Sequence, residues 1–168
     1  NKVIGFFDKE NLNENLSNEV ILVDHNEKSQ SIDGIEFCNI IEIIDHHRLS
    51  NEATINPIKF INEPIGSTCT IIAEMFYQNK INIDKKIAGL LISGIISDTI
   101  NLKSPTTTER DTKILKWLQS TYNFNLDEVI KVIFYSYSIL KNEPMENVIQ
   151  YDCKIYKELN ISFSISQI

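Results

Sequence analysis

Val20-Ile21-Leu22-Val23-Asp24-His25-Asn26-Glu27 and Ile40-Ile41-Glu42-Ile43-Ile44-Asp45-His46-His47-Arg48 follow one plan: a largely apolar run, then at once an acid and a histidine. Short apolar runs rich in β-branched residues suit strands covered on both faces. Residues 24–39, with a turn signal at Asp33-Gly34, leave room for a short crossover helix and hence for a parallel pair. In a parallel α/β sheet ligands gather outside the carboxyl ends of the strands, which is where Asp24 and Asp45-His46-His47 fall. All three histidines of the chain lie in this stretch. A third acid, Asp98, closes the pattern in Gly94-Ile95-Ile96-Ser97-Asp98-Thr99.

A single strand-end aspartate is ordinarily a cap or turn former, and a lone histidine is ordinarily a hydrogen-bonded or surface residue. Their joint occurrence favours a metal site. Carboxylate and imidazole without thiolate suit Mn²⁺, Co²⁺ or Mg²⁺ rather than structural zinc. Two such ions about 4 Å apart can share a hydroxide and clamp a phosphate for in-line attack. Gly66-Ser67-Thr68 and Ser104-Pro105-Thr106 could offer hydroxyls and amides to phosphate at helix N-termini, although simple capping is the favoured reading of each.

Composition narrows the partners. A net charge of −7 argues against non-specific binding to nucleic-acid backbones, and an anionic ligand would need cations between it and the protein. With 42% hydrophobic residues in 168, a packed core is expected. The three cysteines Cys38, Cys69 and Cys153 are odd in number and form no C-x-x-C pair, so they are expected as free thiols in a reducing compartment. The first residues show no basic, then apolar, then small-residue leader. The longest apolar run, residues 87–96, is about half of the ~20 residues a membrane span needs. The expectation is a cytoplasmic protein without membrane or nucleic-acid partners.

Along the rest of the chain, residues 59–62 read as a third strand. Ser67 or Thr68 caps a helix carrying Ile71, Ile72, Met75 and Phe76 on one face. Asp84 caps a second helix through Ile96, with Ile87, Leu90, Leu91 and Ile95 on its buried side. Thr106 with Glu109 resembles a capping box. Asn125 or Asp127 opens a further helix that ends near Tyr137. Lys141-Asn142-Glu143-Pro144 is the expected linker. After a short helix, residues 152–158 and 161–166 read as two strands.

Four segments in this order carry a resemblance: Asp24-His25-Asn26-Glu27, Asp45-His46-His47-Arg48, Glu63-Pro64-Ile65-Gly66-Ser67-Thr68, and Ser97-Asp98-Thr99 with Lys103-Ser104-Pro105-Thr106. Together they resemble the manganese-dependent (family II) inorganic pyrophosphatases of the DHH phosphoesterase superfamily. Asp-His-His alone would indicate only the superfamily; the Glu-Pro-x-Gly-Ser and Lys-Ser-Pro-Thr segments point to pyrophosphatase. The resemblance implies an α/β parallel-sheet DHH domain over residues 20–140, incomplete, and a linker at 141–144. It also implies the start of a smaller α+β substrate-binding domain at 145–168. It implies hydrolysis of pyrophosphate to two orthophosphates by a two-metal-activated hydroxide, with Mn²⁺ or Co²⁺ as cofactor, Mg²⁺ at the substrate, and a homodimer. Asp24 resembles the carboxylate bridging the two metals, His46 and Asp98 resemble ligands of the second metal, and His47 resembles the catalytic histidine that contacts substrate. Lys154 resembles a phosphate-binding lysine of the C-terminal domain.

The departures are as informative. The family begins with a strand and a His-Asn-Pro-Asp type motif, and no histidine precedes His25 here. The C-terminal Arg-Lys segment is missing too, so this stretch alone is expected to be inactive. Some members carry CBS regulatory domains after the first motif. Residues 1–19, with Val3-Ile4-Gly5-Phe6-Phe7, resemble the end of one, which would imply adenine nucleotides as further ligands. The rivals are another DHH phosphoesterase acting on short oligonucleotides or cyclic dinucleotides, and a non-catalytic adenine-nucleotide sensor.

Overall fold

The computed structural model describes residues 19–51, 54, 56–136, 143–150, 153–159 and 161–166. Residues 1–18 of the expected N-terminal segment and 141–142 of the expected linker lie outside that set, as do Tyr137 and Asp152. The chain divides into two units, Asn1–Phe124 and Asn125–Ile168.

In the first unit three strands, β1 (Glu19–Val23), β2 (Asn39–Asp45) and β3 (Lys59–Asn62), form a parallel sheet in the order β1-β2-β3. Three helices follow: α1 (Thr68–Gln78), α2 (Lys85–Asp98) and α3 (Glu109–Tyr122). The parallel α/β architecture and the carboxyl-edge position of both Asp-His segments are as the sequence pattern implies. The expected crossover helix is not formed. Residues 24–39 instead make two single 3-10 turns, Lys28–Gln30 and Ile35–Phe37. The segment is pinned early by Asn26 and broken by Gly34, whose φ of 92° belongs to the left-handed region glycine tolerates.

Strand β1 is not covered on both faces: Leu22 is buried, whereas Ile21 and Val23 are 50% and 45% exposed. Leu22 packs with Ile35 and Ile43 on one side of the sheet. On the other, Ile44 packs with Ile65 and Ile71 beneath α1. Burial of Ile44 there leaves Asp45, the next residue, pointing to the opposite face, where it is fully buried.

Helix α1 is capped by Ser67, whose Oγ accepts from Cys69 N, and α2 by Asp84, which accepts from Lys86 N. The buried side of α2 is Ala88, Leu91, Ile92, Ile95 and Ile96, while Ile87 and Leu90 face outward. The helix is apolar nearly all round, so periodicity alone does not choose its inner face. A Cβ at Gly94 would overlap Cys69 Sγ, which shows how closely α1 and α2 approach. The capping box of α3 is Thr108 with Asp111, not Thr106 with Glu109. Thr106 and Thr108 each stand three residues before an acid, Glu109 and Asp111, and burial of Asp111 selects the second register.

The second unit contains α4 (Leu126–Lys131, capped by Asn125), a π-helical turn Val132–Ser136, α5 (Met145–Gln150), and the antiparallel pair β4 (Cys153–Glu158) and β5 (Ile161–Ser166). Among the described residues no helix is long and apolar enough to cross a membrane.

Candidate metal centre

The centre is built where β1 and β2 end. Asp24 leaves β1 with a left-handed φ of 67°, while its N–H still donates to Ile44 O at 2.9 Å. A non-glycine residue held there costs about 1 kcal/mol or more, a kind of strain that clusters at functional sites. The Asp24 carboxylate is half exposed, and its Oδ1 lies 3.5 Å from His46 Nε2. One ligand atom from each of Asp24, His46 and His47 falls within 4.8 Å of the others.

Both histidines are oriented from behind. His46 Nδ1 lies 2.9 Å from Ile65 O; a carbonyl can only accept, so Nδ1 carries a proton and donates, and Nε2 is the nitrogen turned to Asp24. His47 Nδ1 donates to Asp45 Oδ1 at 2.8 Å. The two rings meet edge to face with centroids 4.2 Å apart.

Asp45 is the organising residue that sequence reasoning left without a role. Its Oδ1 accepts from the His46 and His47 amides at 2.8 and 3.2 Å as well as from the His47 ring, and its Oδ2 accepts from Asn26 Nδ2 at 2.6 Å. Burial pushes its carboxyl up, but the hydrogen bonds from Asn26, His47 and the two amides outweigh burial and hold it below the ordinary carboxylate value. Asn26 ties in the following loop, donating to Arg48 O at 3.0 Å and accepting from Ser50 N at 2.7 Å. Its place directly after Asp24-His25 was the available sequence signal.

Asp98 ends α2. It is not among the ligand atoms within 4.8 Å of one another, yet it belongs to the same electrostatic neighbourhood. Burial and the like charge of Asp24 push its carboxyl up, against a hydrogen bond from Ser67 Oγ at 2.5 Å and the two imidazoles. Two mutually repelling carboxylates beside two oriented imidazoles form a donor set that a divalent cation fits, since the cation would neutralise the repulsion.

His25 stands apart from this centre: Nδ1 donates to Val23 O at 3.0 Å and Nε2 hydrogen-bonds with Ser31 Oγ at 2.9 Å. Lys154 lies on β4 opposite Ile165, exposed, in the second unit. Beyond Asp98, Ile100, Asn101 and Leu102 all have left-handed φ values, 49°, 52° and 62°. Bonds from Lys103 N and Ser104 N to Thr99 O, and from Leu102 N to Thr99 Oγ1, fasten this turn. It leads to Ser104, whose Oγ bonds Thr106 Oγ1 at 2.7 Å. The loop before α1 is held from outside by Arg110, whose guanidinium grips Glu74 through two nitrogens and Glu63 through a third. These bonds, Glu74 first, raise the guanidinium pKa above its ordinary value.

Comparison with known proteins identifies the chain's relatives. The pattern described as "DHH family, N-terminal domain" matches residues 2–95. A probable manganese-dependent inorganic pyrophosphatase of Thermotoga maritima is 40% identical over 168 residues, covering 99% of this chain and 31% of that protein. A cobalt-dependent inorganic pyrophosphatase of Clostridium perfringens is 39% identical, covering 100% and 31%. A probable manganese-dependent inorganic pyrophosphatase of Clostridium acetobutylicum is 40% identical, covering 92% and 51%. The chain thus spans about half the length, or less, of the curated relatives it matches. A crystal structure from Methanococcus jannaschii, assigned to the family II inorganic pyrophosphatases, superposes with a TM-score of 0.70 at 39% identity, over 82% of this chain and 48% of that one. An exopolyphosphatase-related protein of Bacteroides fragilis, at 20% identity and a TM-score of 0.61, shares the fold.

Proposed function

Because the chain belongs to the DHH family, we propose that the full-length protein hydrolyses pyrophosphate to two orthophosphates with Mn²⁺ or Co²⁺ as cofactor. The observation that carries this reading is the convergence of Asp24 with His46 and His47, each imidazole anchored through Nδ1. The relatives named as manganese- or cobalt-dependent pyrophosphatases support the choice of substrate and ion.

Asp24, His46 and Asp98 would hold divalent ions. When bound, such ions supply positive charge to polarise a phosphoryl group and acidity to activate water. The protein's own part is positioning. Asp45 fixes the His47 ring, leaving its other nitrogen and half-exposed face to meet a phosphate oxygen of the substrate. Ser67 holds the Asp98 carboxylate in place and caps α1 with the same oxygen. Lys154 would add an ammonium to the substrate's phosphate groups, with Mg²⁺ accompanying the substrate. Charge supplied in this way is strongest where water has been excluded.

The same reading makes the enzyme a cytoplasmic homodimer, and makes this 168-residue stretch alone a weak metal binder without activity. It also places CBS domains upstream that answer to adenine nucleotides. In support, relatives of which the chain covers 31% align over 99% and 100% of it, whereas one of which it covers 51% aligns over 92%. A substrate panel tests the function. Phosphate release from pyrophosphate, with no comparable release of nucleotide from short oligonucleotides or cyclic dinucleotides, is expected; the reverse preference would assign the site to a phosphodiester instead of a phosphoanhydride.

A further inference from the structure

The carbonyl that orients His46 belongs to a peptide unit whose other end is also engaged. Ile65 O accepts from His46 Nδ1 at 2.9 Å, and the N–H of the same peptide, on Gly66, donates to Asp111 Oδ2 at 3.0 Å. Asp111 lies on the first turn of α3 and is fully buried. Its Oδ2 also accepts from Thr108 N and Thr108 Oγ1, both at 2.7 Å, and its Oδ1 from Thr70 Oγ1 at 2.6 Å. The carboxylate is therefore fixed by α1 and α3 before it meets the loop. Space is equally constrained: a Cβ at Gly66 would sit 2.7 Å from Asp111 Oδ2 and 2.8 Å from the Thr99 methyl.

We propose that Asp111 is a positioning residue for the metal centre, acting through the Ile65–Gly66 peptide to hold His46 in its Nδ1–H form with Nε2 turned to Asp24. The inference rests on the reading of His46 as a metal ligand. A carboxylate accepting from an amide N–H draws electron density toward the carbonyl oxygen of that amide, which strengthens it as an acceptor for the next donor. The chain is carboxylate, peptide, imidazole, with each bond polarising the next. Fixing the peptide plane also fixes where the carbonyl points, and so which ring nitrogen it can accept from. Partners of this kind behind a ligating histidine set its tautomer and its basicity as a ligand.

The chain contains three histidines, so their imidazole nitrogens can be followed individually by ¹⁵N NMR on the metal-free 168-residue protein. At about pH 8, above the ordinary imidazole pKa of roughly 6.5, the tautomer shows directly. Wild type should show His46 almost wholly as Nδ1–H. Asp111→Asn, with the amide spectrum still that of a folded chain, should raise the Nε2–H fraction of His46 several-fold while His25 stays unchanged. In the full-length protein, apparent Co²⁺ affinity should fall by about tenfold. Thr70→Val removes a different contact of the same carboxylate and should leave the His46 signals in place. Should Asp111→Asn fail to fold, Gly66→Ala disturbs the same contact from the loop side and should shift His46 likewise. A wild-type His46 in the Nε2–H form would overturn the proposal, as would a folded Asp111→Asn with unaltered His46, or equal shifts in Thr70→Val. None of these readings requires pyrophosphatase activity, so failure of the relay and failure of the proposed function are told apart.

Discussion

Replacing Asp45 by asparagine separates what builds the centre from what would bind metal. The oxygen retained at Oδ1 can still serve the His46 and His47 donors. The new amide nitrogen then occupies Oδ2 and meets Asn26 Nδ2, donor against donor, where 2.6 Å separates the two atoms in the native pair. Asn26 cannot turn over to relieve this, because its oxygen accepts from Ser50 N and its nitrogen also donates to Arg48 O. A buried donor left without an acceptor costs about 1–3 kcal/mol, and reducing charge-assisted bonds to neutral ones adds to it, so about 3 kcal/mol is expected. With a urea slope of about 2 kcal/mol/M, the midpoint should fall by roughly 1.5 M. Equilibrium urea unfolding followed by circular dichroism measures this. The pH dependence has a definite sign. The folded-state carboxyl of Asp45 is held below its unfolded value, so its stabilisation is present above the ordinary aspartate pKa of about 3.9 and is lost as pH falls through the folded value. The gap between wild type and Asp45→Asn should therefore narrow in acid. Asp24→Asn, at a half-exposed side chain, should change stability by less than about 0.5 kcal/mol. An Asp45→Asn protein as stable as wild type at pH 7 would refute the assignment of Asp45 as the structural hub.

Gly94→Ala should overpack the contact with Cys69 and cost about 1–3 kcal/mol, with Cys69→Ala in the same chain recovering part of the loss in thermal unfolding. The Cys69 thiol, pushed up to about 11 first by burial and then by Asp98, should alkylate about 100-fold more slowly at pH 8 than an ordinary thiol, as iodoacetamide labelling with mass spectrometry would show. In the full-length protein Lys154→Ala should raise KM for pyrophosphate and slow turnover while leaving metal affinity nearly unchanged; steady-state kinetics equal to wild type would return Lys154 to the surface of an edge strand.

The sheet and the edge that carries the centre were legible because the first two apolar runs stop abruptly at an acid, and Asp84 and the Ser67-Thr68 pair marked two helix starts, of which packing chose Ser67 for the first. The inner face of α2 was not, since Ile87 and Leu90 are as apolar as the residues that packing selected. Asp45 read as one more strand-end acid among potential ligands; only its burial and four donors show that it serves the histidines from behind. The Asp111 contact joins residues 45 positions apart, and nothing in local pattern announces a bond of that span. Short-range periodicity finds elements and their ends, while the partners that orient a side chain are settled by tertiary packing.

Phosphate release from pyrophosphate by the full-length protein after chelation tests most directly the proposed metal-dependent pyrophosphatase centred on Asp24 and His46. Activity should vanish on stripping and return with Mn²⁺ or Co²⁺, and Asp24→Ala should stay inactive with either ion while remaining folded. A stripped protein that kept its rate without added cation, or an Asp24→Ala protein that recovered it, would contradict the account.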